Sequence, residues 1–173
     1  MTGISAPATG LIGLTQIHGD VGELIRIGQW LNGDGFKQWE HAFVSLGAGL
    51  IVEAEPGGAR IGNADEYSAI HWCYGIAKLA TPDQLQAVAD AARKYAGVPY
   101  SFLDYAELAA HRLHIPVPGL KTFIGDSKHL ICSQLCDQAE QDAGIHLFKD
   151  GRWPGFVTPA DLFNLDVTLT PGE

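Results

Sequence analysis

The chain has 173 residues, 46% hydrophobic and 18% charged, with 21 Gly, 9 Pro and 3 Cys. A chain this long buries roughly two thirds of its unfolded surface, so one domain spanning residues 1–173 is expected, and a sparse, odd set of cysteines rules out a disulfide scaffold or a multi-zinc module. A formal charge of −9 weighs against nucleic acid, which wants a basic face, and leaves a small peptide or acyl substrate as the expected partner.

Met1 to Gly10 carry no Lys or Arg and no long apolar core, unlike a signal peptide. No run approaches the roughly 18 apolar residues of a membrane span. Reduced thiols in the cytoplasm, or a phage or virion setting reached without a signal, are therefore expected. In chain order, Val21, Leu24, Ile25, Ile27, Trp30 and Leu31 lie on one broad helical face, with Asp20 as its cap and Asn32-Gly33-Asp34-Gly35 as its stop.

His41-Ala-Phe-Val-Ser-Leu46 and Leu50-Ile-Val-Glu-Ala-Glu55 read as two strands joined by Gly47-Ala48-Gly49. A three-residue loop pairs Leu46 with Leu50, Phe43 with Glu53 and His41 with Glu55. The period of two then sets His41, Glu53 and Glu55 on one face, whereas a slip of one residue separates them. Thr81-Pro82-Asp83-Gln84 is a capping box opening a helix that carries Leu85, Val88, Ala89, Ala92 and Tyr95 and stops at Gly97. Further helices are expected over about Phe102 to Leu113, from Cys132 to Ala143 with Gly144 as stop, and from Thr158-Pro159-Ala160-Asp161. The order predicts α+β with an antiparallel sheet packed against helices.

Cys132 stands where the apolar segment Leu130-Ile131 meets the first turn of a helix, a position that favours the thiolate. Position alone favours a buried, inert cysteine, which is the commoner case. His41 and Glu53 separate the two readings, because a cysteine hydrolase needs a base beside the sulfur and a third polar group on the far ring nitrogen. An acidic residue within Leu50-Ile-Val-Glu53-Ala, among apolar neighbours, is an odd choice for a merely structural strand.

Taken together, Gly19-Asp20, His41-Ala-Phe-Val-Ser-Leu-Gly-Ala-Gly-Leu-Ile-Val-Glu53, Tyr95-Ala-Gly-Val-Pro-Tyr100 and Ile131-Cys-Ser-Gln-Leu135 resemble the NlpC-type, papain-like cysteine peptidases and amidases in their circularly permuted branch. In that family a second polar catalytic residue follows the histidine by twelve positions, and in the permuted branch the cysteine comes last. The resemblance covers roughly Gly19 to Gly144 and departs from the pattern at Gln134, where an acidic residue is more usual, and at Trp39-Glu40. It implies a permuted papain-like fold, Cys132 as nucleophile, His41 as base and then acid, Glu53 as orienter, no cofactor, and peptidoglycan stem peptides as substrate. Tyr100, Tyr105 and Trp72 are candidate substrate walls.

Other readings share parts of this pattern. A thiol acyltransferase or lipase would use the same triad, with Ile115-Pro-Val-Pro-Gly-Leu120 as an apolar entrance, and an inactive member would serve as a structural or binding module, for instance in a phage particle. Cys132 and Cys136 with His129 or His146 make only a weak zinc pattern, so no metal is expected. Cys73, in an apolar β-like segment, and Cys136 are expected to pack.

Overall fold

A computed structural model of the chain describes residues 8–16, 39–55, 58–99, 132–154 and 157–170. Within them the chain is α+β. Its strands are β1 (Ile12–Thr15), β2 (His41–Gly47), β3 (Leu50–Glu55), β4 (Gly58–Asn63) and β5 (Ile70–Trp72), and its helices α1 (Tyr74–Ala77), α2 (Pro82–Lys94), α3 (Cys132–Asp142) and α4 (Pro159–Leu169). The strands form one antiparallel sheet in the order β4-β3-β2-β1-β5. The expected helices over 21–31 and 102–113, the Gly19-Asp20 pair and the segment 129–131 lie outside the described residues.

Alternation along the strands divides the core. Ile12 and Leu14 of β1, Ala42, Val44 and Leu46 of β2, and Val52 and Ala54 of β3 are buried against Val88, Ala89 and Ala92 of α2 and Leu135, Cys136 and Ala139 of α3. Each large aliphatic side chain removed from water there stabilises the fold by about 1.5–3 kcal/mol. The opposite row, Phe43 and Ile51, forms a smaller cluster with Ala64, against which Tyr67, Ile70 and Trp72 pack.

Local signals at the helix ends are realised. The Thr81 hydroxyl accepts the Gln84 N–H at 3.3 Å while the Gln84 side chain accepts the Thr81 N–H at 3.0 Å. Thr158 and Asp161 repeat this capping box at α4, at 3.1 and 2.9 Å. The regular part of α2 ends at Lys94, three residues before Gly97, which takes φ +91° and donates its N–H to the Ala59 carbonyl. Gly144, at φ +80°, follows the end of α3 as the sequence predicts.

The β2–β3 hairpin corrects the expected loop. Gly47 pairs with Leu50, so the loop is the two residues Ala48 and Gly49, and Leu46 does not pair with Leu50. Ala48 and Gly49 take φ +51° and +82°, the left-handed conformations that match a tight turn to the twist of its strands. On its own that tighter turn would shift the register by one. A bulge between Ser45 and Gly47 absorbs the extra residue, and Phe43 still pairs with Glu53, as predicted. Strands β1, β4 and β5 complete the sheet around this hairpin and are not legible as strands in the sequence, apart from the β-like stretch His71-Trp-Cys-Tyr74 that overlaps the end of β5. Cys73 itself lies just beyond β5, as the residue preceding α1.

Candidate active site

The bulged hairpin sets His41 and Glu53 on the same face, and their side chains meet: His41 Nε2 lies 2.8 Å from Glu53 Oε2. Glu55 shares that face and is tied to Arg60, whose Nε donates to Glu55 Oε2 at 2.8 Å. Helix α3 packs on β2 and brings its first residue, Cys132, to the start of that strand. The Cys132 thiol is hydrogen-bonded to the His41 ring and to the backbone N–H groups of Ala42 and Ser133. Because Nε2 is occupied by Glu53, Nδ1 is the ring atom left for the sulfur. Cys132, His41 and Glu53 are 3%, 3% and 0% exposed, so these contacts operate away from bulk water.

Burial dominates the proton equilibria of such groups unless partners oppose it. For His41, burial alone depresses the pKa, but the hydrogen bonds and charges of Cys132 and Glu53 outweigh it and raise the value to about 9. For Cys132, burial alone keeps the proton on sulfur. The hydrogen bond and charge of His41, with the two backbone donors, overcome that and lower the thiol below its ordinary value. Both shifts favour a thiolate beside an imidazolium. Cys136 behaves oppositely: burial, then the charges of Cys132 and Cys73, push its thiol well up.

Three further residues hold Glu53. The Tyr67 hydroxyl donates a hydrogen bond to Glu53 Oε2, and Arg60 Nη2 stands 2.7 Å from Glu53 Oε1, an ion pair without hydrogen-bond alignment. The Tyr67 ring stacks on Phe43 at 5.4 Å and lies 5.8 Å from the His41 ring, so the smaller cluster also packs the imidazole. Gly62 provides the space: a Cβ there would sit 2.6 Å from Glu53 Oε1. Arg60 and Gly62 come from β4, and Tyr67 follows the 3₁₀ turn Ala64–Glu66, whose Asn63 and Glu66 form a capping box. That Asn-x-x-Glu pattern is a readable turn signal, but nothing in it points to Glu53.

Of the candidate substrate walls, Tyr100 and Tyr105 lie outside the described residues. The Trp72 ring packs edge-on against Phe43 at 5.6 Å, and Phe43 in turn borders His41 at 6.2 Å, which makes Trp72 a packing group of the smaller cluster. Cys73 and Cys136 are buried and unbridged. His146 is exposed while Cys136 is in the core, against the weak zinc pattern that joined them, and His129 lies outside the described residues. Among the described residues, the donors close enough together to share an ion are instead His71, Cys73 and Asp166.

No helix among the described residues is long and apolar enough to cross a membrane. Comparisons of the chain with protein-family models, with curated proteins and with solved structures return no match.

Proposed function

We propose that the chain is a cysteine hydrolase, an amidase or endopeptidase, working through Cys132, His41 and Glu53. The observation that carries this reading is the unbroken relay from the Cys132 sulfur through the two ring nitrogens of His41 to the Glu53 carboxylate, in a site where the thiol is lowered and the imidazole raised. A relay of nucleophile, base and orienter is what acyl transfer needs.

In this mechanism the Cys132 thiolate attacks an amide carbonyl, and the oxyanion that forms accepts the Cys132 N–H at the start of α3. The His41 imidazolium gives its proton to the leaving amine, and a thioacyl enzyme remains. His41, now neutral, takes a proton from water, the hydroxide attacks the thioester, and the acid departs as the sulfur is restored. Glu53, held by Tyr67 and Arg60, keeps Nε2 engaged so that Nδ1 faces sulfur throughout. A nucleophile at the head of a helix, downstream of the hairpin that carries base and orienter, agrees with a permuted papain-like arrangement. The resemblance of the motifs to NlpC-type enzymes points to peptidoglycan stem peptides as substrate.

The test is competitive alkylation with iodoacetamide at pH 6, followed by peptide mapping. Cys132 is expected to label much faster than Cys73 or Cys136, and His41→Asn is expected to remove the difference. Equal, slow labelling of all three thiols would overturn the catalytic reading. Release of cleaved peptides from peptidoglycan fragments, lost in Cys132→Ser, tests the substrate class.

A further inference from the structure

A second cluster of chemically capable side chains lies at the other edge of the sheet. His71 on β5 and Cys73 just after it are two residues apart on nearly extended backbone, so their side chains leave on the same side, away from Trp72. Asp166 reaches them from α4. The three donor atoms, a ring nitrogen, a sulfur and a carboxylate oxygen, all lie within 4.8 Å of one another.

We propose that His71, Cys73 and Asp166 bind a divalent cation of the zinc class, with imidazole nitrogen, thiolate and carboxylate as ligands and a water completing the tetrahedron. Zinc ligands stand about 2.0–2.3 Å from the ion, so a tetrahedral set needs donor spacings of roughly 3.3–3.8 Å, within reach of small side-chain rotations from the observed positions. Nε2 of His71 is already 2.9 Å from Asp166 Oδ2. Asp166 Oδ1 accepts the Ile76 N–H at 3.0 Å, which fixes the carboxylate and leaves Oδ2 for the ion. The His71 ring is gripped by Trp39 and Phe163, with centroids 5.5 and 5.1 Å away.

The electrostatics also suit a cation. Cys73 is wholly buried, and the charges that act on its sulfur, those of Asp166 and Glu140, are both acidic. Burial and these two carboxylates hold the proton on the thiol, and Asp137 acts in the same sense on Glu140. Metal binding must therefore displace that proton: the S–H bond breaks, the S–metal bond forms, and one proton leaves to buffer. The proton that His71 Nε2 donates to Asp166 moves to Nδ1 as the ring changes tautomer, which frees the Nε2 lone pair for the ion. The His71 side chain is 30% exposed, which supplies the entry side. Once bound, the ion would join β5, the entry to α1, and α4, and its affinity would rise with pH because a proton is released.

The test uses the full chain carrying Cys132→Ser, so the outcome does not depend on the hydrolase reading. Cobalt(II) added to this chain is expected to give a near-ultraviolet thiolate-to-cobalt charge-transfer band that saturates at one equivalent, more tightly at pH 8 than at pH 6. Zinc(II) is expected to compete the band away and to raise the melting temperature. Cys73→Ser should abolish the band, and His71→Asn should raise the cobalt dissociation constant at least about tenfold, a loss already found for partners one shell further out. If Cys73→Ser does not fold, His71→Asn, at a partly exposed position, decides the matter. Absence of the band in the Cys132→Ser chain, its survival in folded Cys73→Ser, or an unchanged constant in His71→Asn would each overturn the site.

Discussion

His41 has a neighbour on each ring nitrogen, and both raise its affinity for a proton against the opposing effect of burial. A direct consequence can be measured without a substrate. An NMR titration of the His41 ring is expected to show a midpoint near 9, and Glu53→Gln, which removes one raising hydrogen bond and one raising charge, is expected to move it to lower pH. Under the proposed hydrolase mechanism, kcat/KM is expected to fall as the pH passes through about 9 and the imidazolium is lost, and in Glu53→Gln that alkaline limb is expected to shift down with the titration. His41 and Glu53 could be picked out by residue type and a shared strand face, Cys132 by its place at a helix start, and the three together through the resemblance to the NlpC-type pattern. Tyr67, Arg60 and Gly62 could not. Their role exists only because β4 and the turn after it fold over the Glu53 carboxylate, and no local pattern announces a partner on another strand.

At the scale of elements, α2 and α4 show how far local chemistry reaches. Each begins with Thr-Pro and closes a reciprocal capping box, at Thr81 with Gln84 and at Thr158 with Asp161. Truncating either threonine leaves orphan N–H donors in the first turn, so Thr81→Ala and Thr158→Ala are each expected to lower stability by about 1 kcal/mol. The two capping boxes belong to separate helices, and the losses should add in urea denaturation of the double variant. Strand β4 is the opposite case. Gly58-Ala-Arg-Ile-Gly-Asn63 has little of a strand's composition, and its extended backbone follows from pairing with β3 over its whole length. The hairpin lies between these extremes. Its strands and its Phe43–Glu53 register were legible, but the two-residue turn and the compensating bulge were not, because several turns suit Gly-Ala-Gly and only the finished sheet selects one.

Across the molecule, the acidic composition has a buried component. Glu140 on α3 is 2% exposed, and burial, reinforced by Asp137, raises its pKa to about 8. Between its ordinary value of 4.5 and about 8 the folded chain keeps a proton that the unfolded chain has released, so every rise in pH across that window favours unfolding. Stability is then full below about 4.5 as far as this group is concerned, and the decline across the window amounts to at most about 5 kcal/mol. Urea denaturation at pH 5 and pH 8 is expected to show the chain less stable at pH 8, with Glu140→Gln removing most of that difference. A slope unchanged by the substitution would mean that other groups carry it.

Near neighbours in the chain dictate the capped helices, the alternating hairpin and the α+β class, and the sequence also displays a cysteine, a histidine and a glutamate, the residue types that the proposed acyl transfer would use. Tertiary structure alone decided which of these meet. Cys132 reaches His41 across 91 positions, and Asp166 reaches His71 across 95. Such contacts are chosen by the burial of strand faces against helices, a balance struck over the whole chain, and no window of sequence contains it.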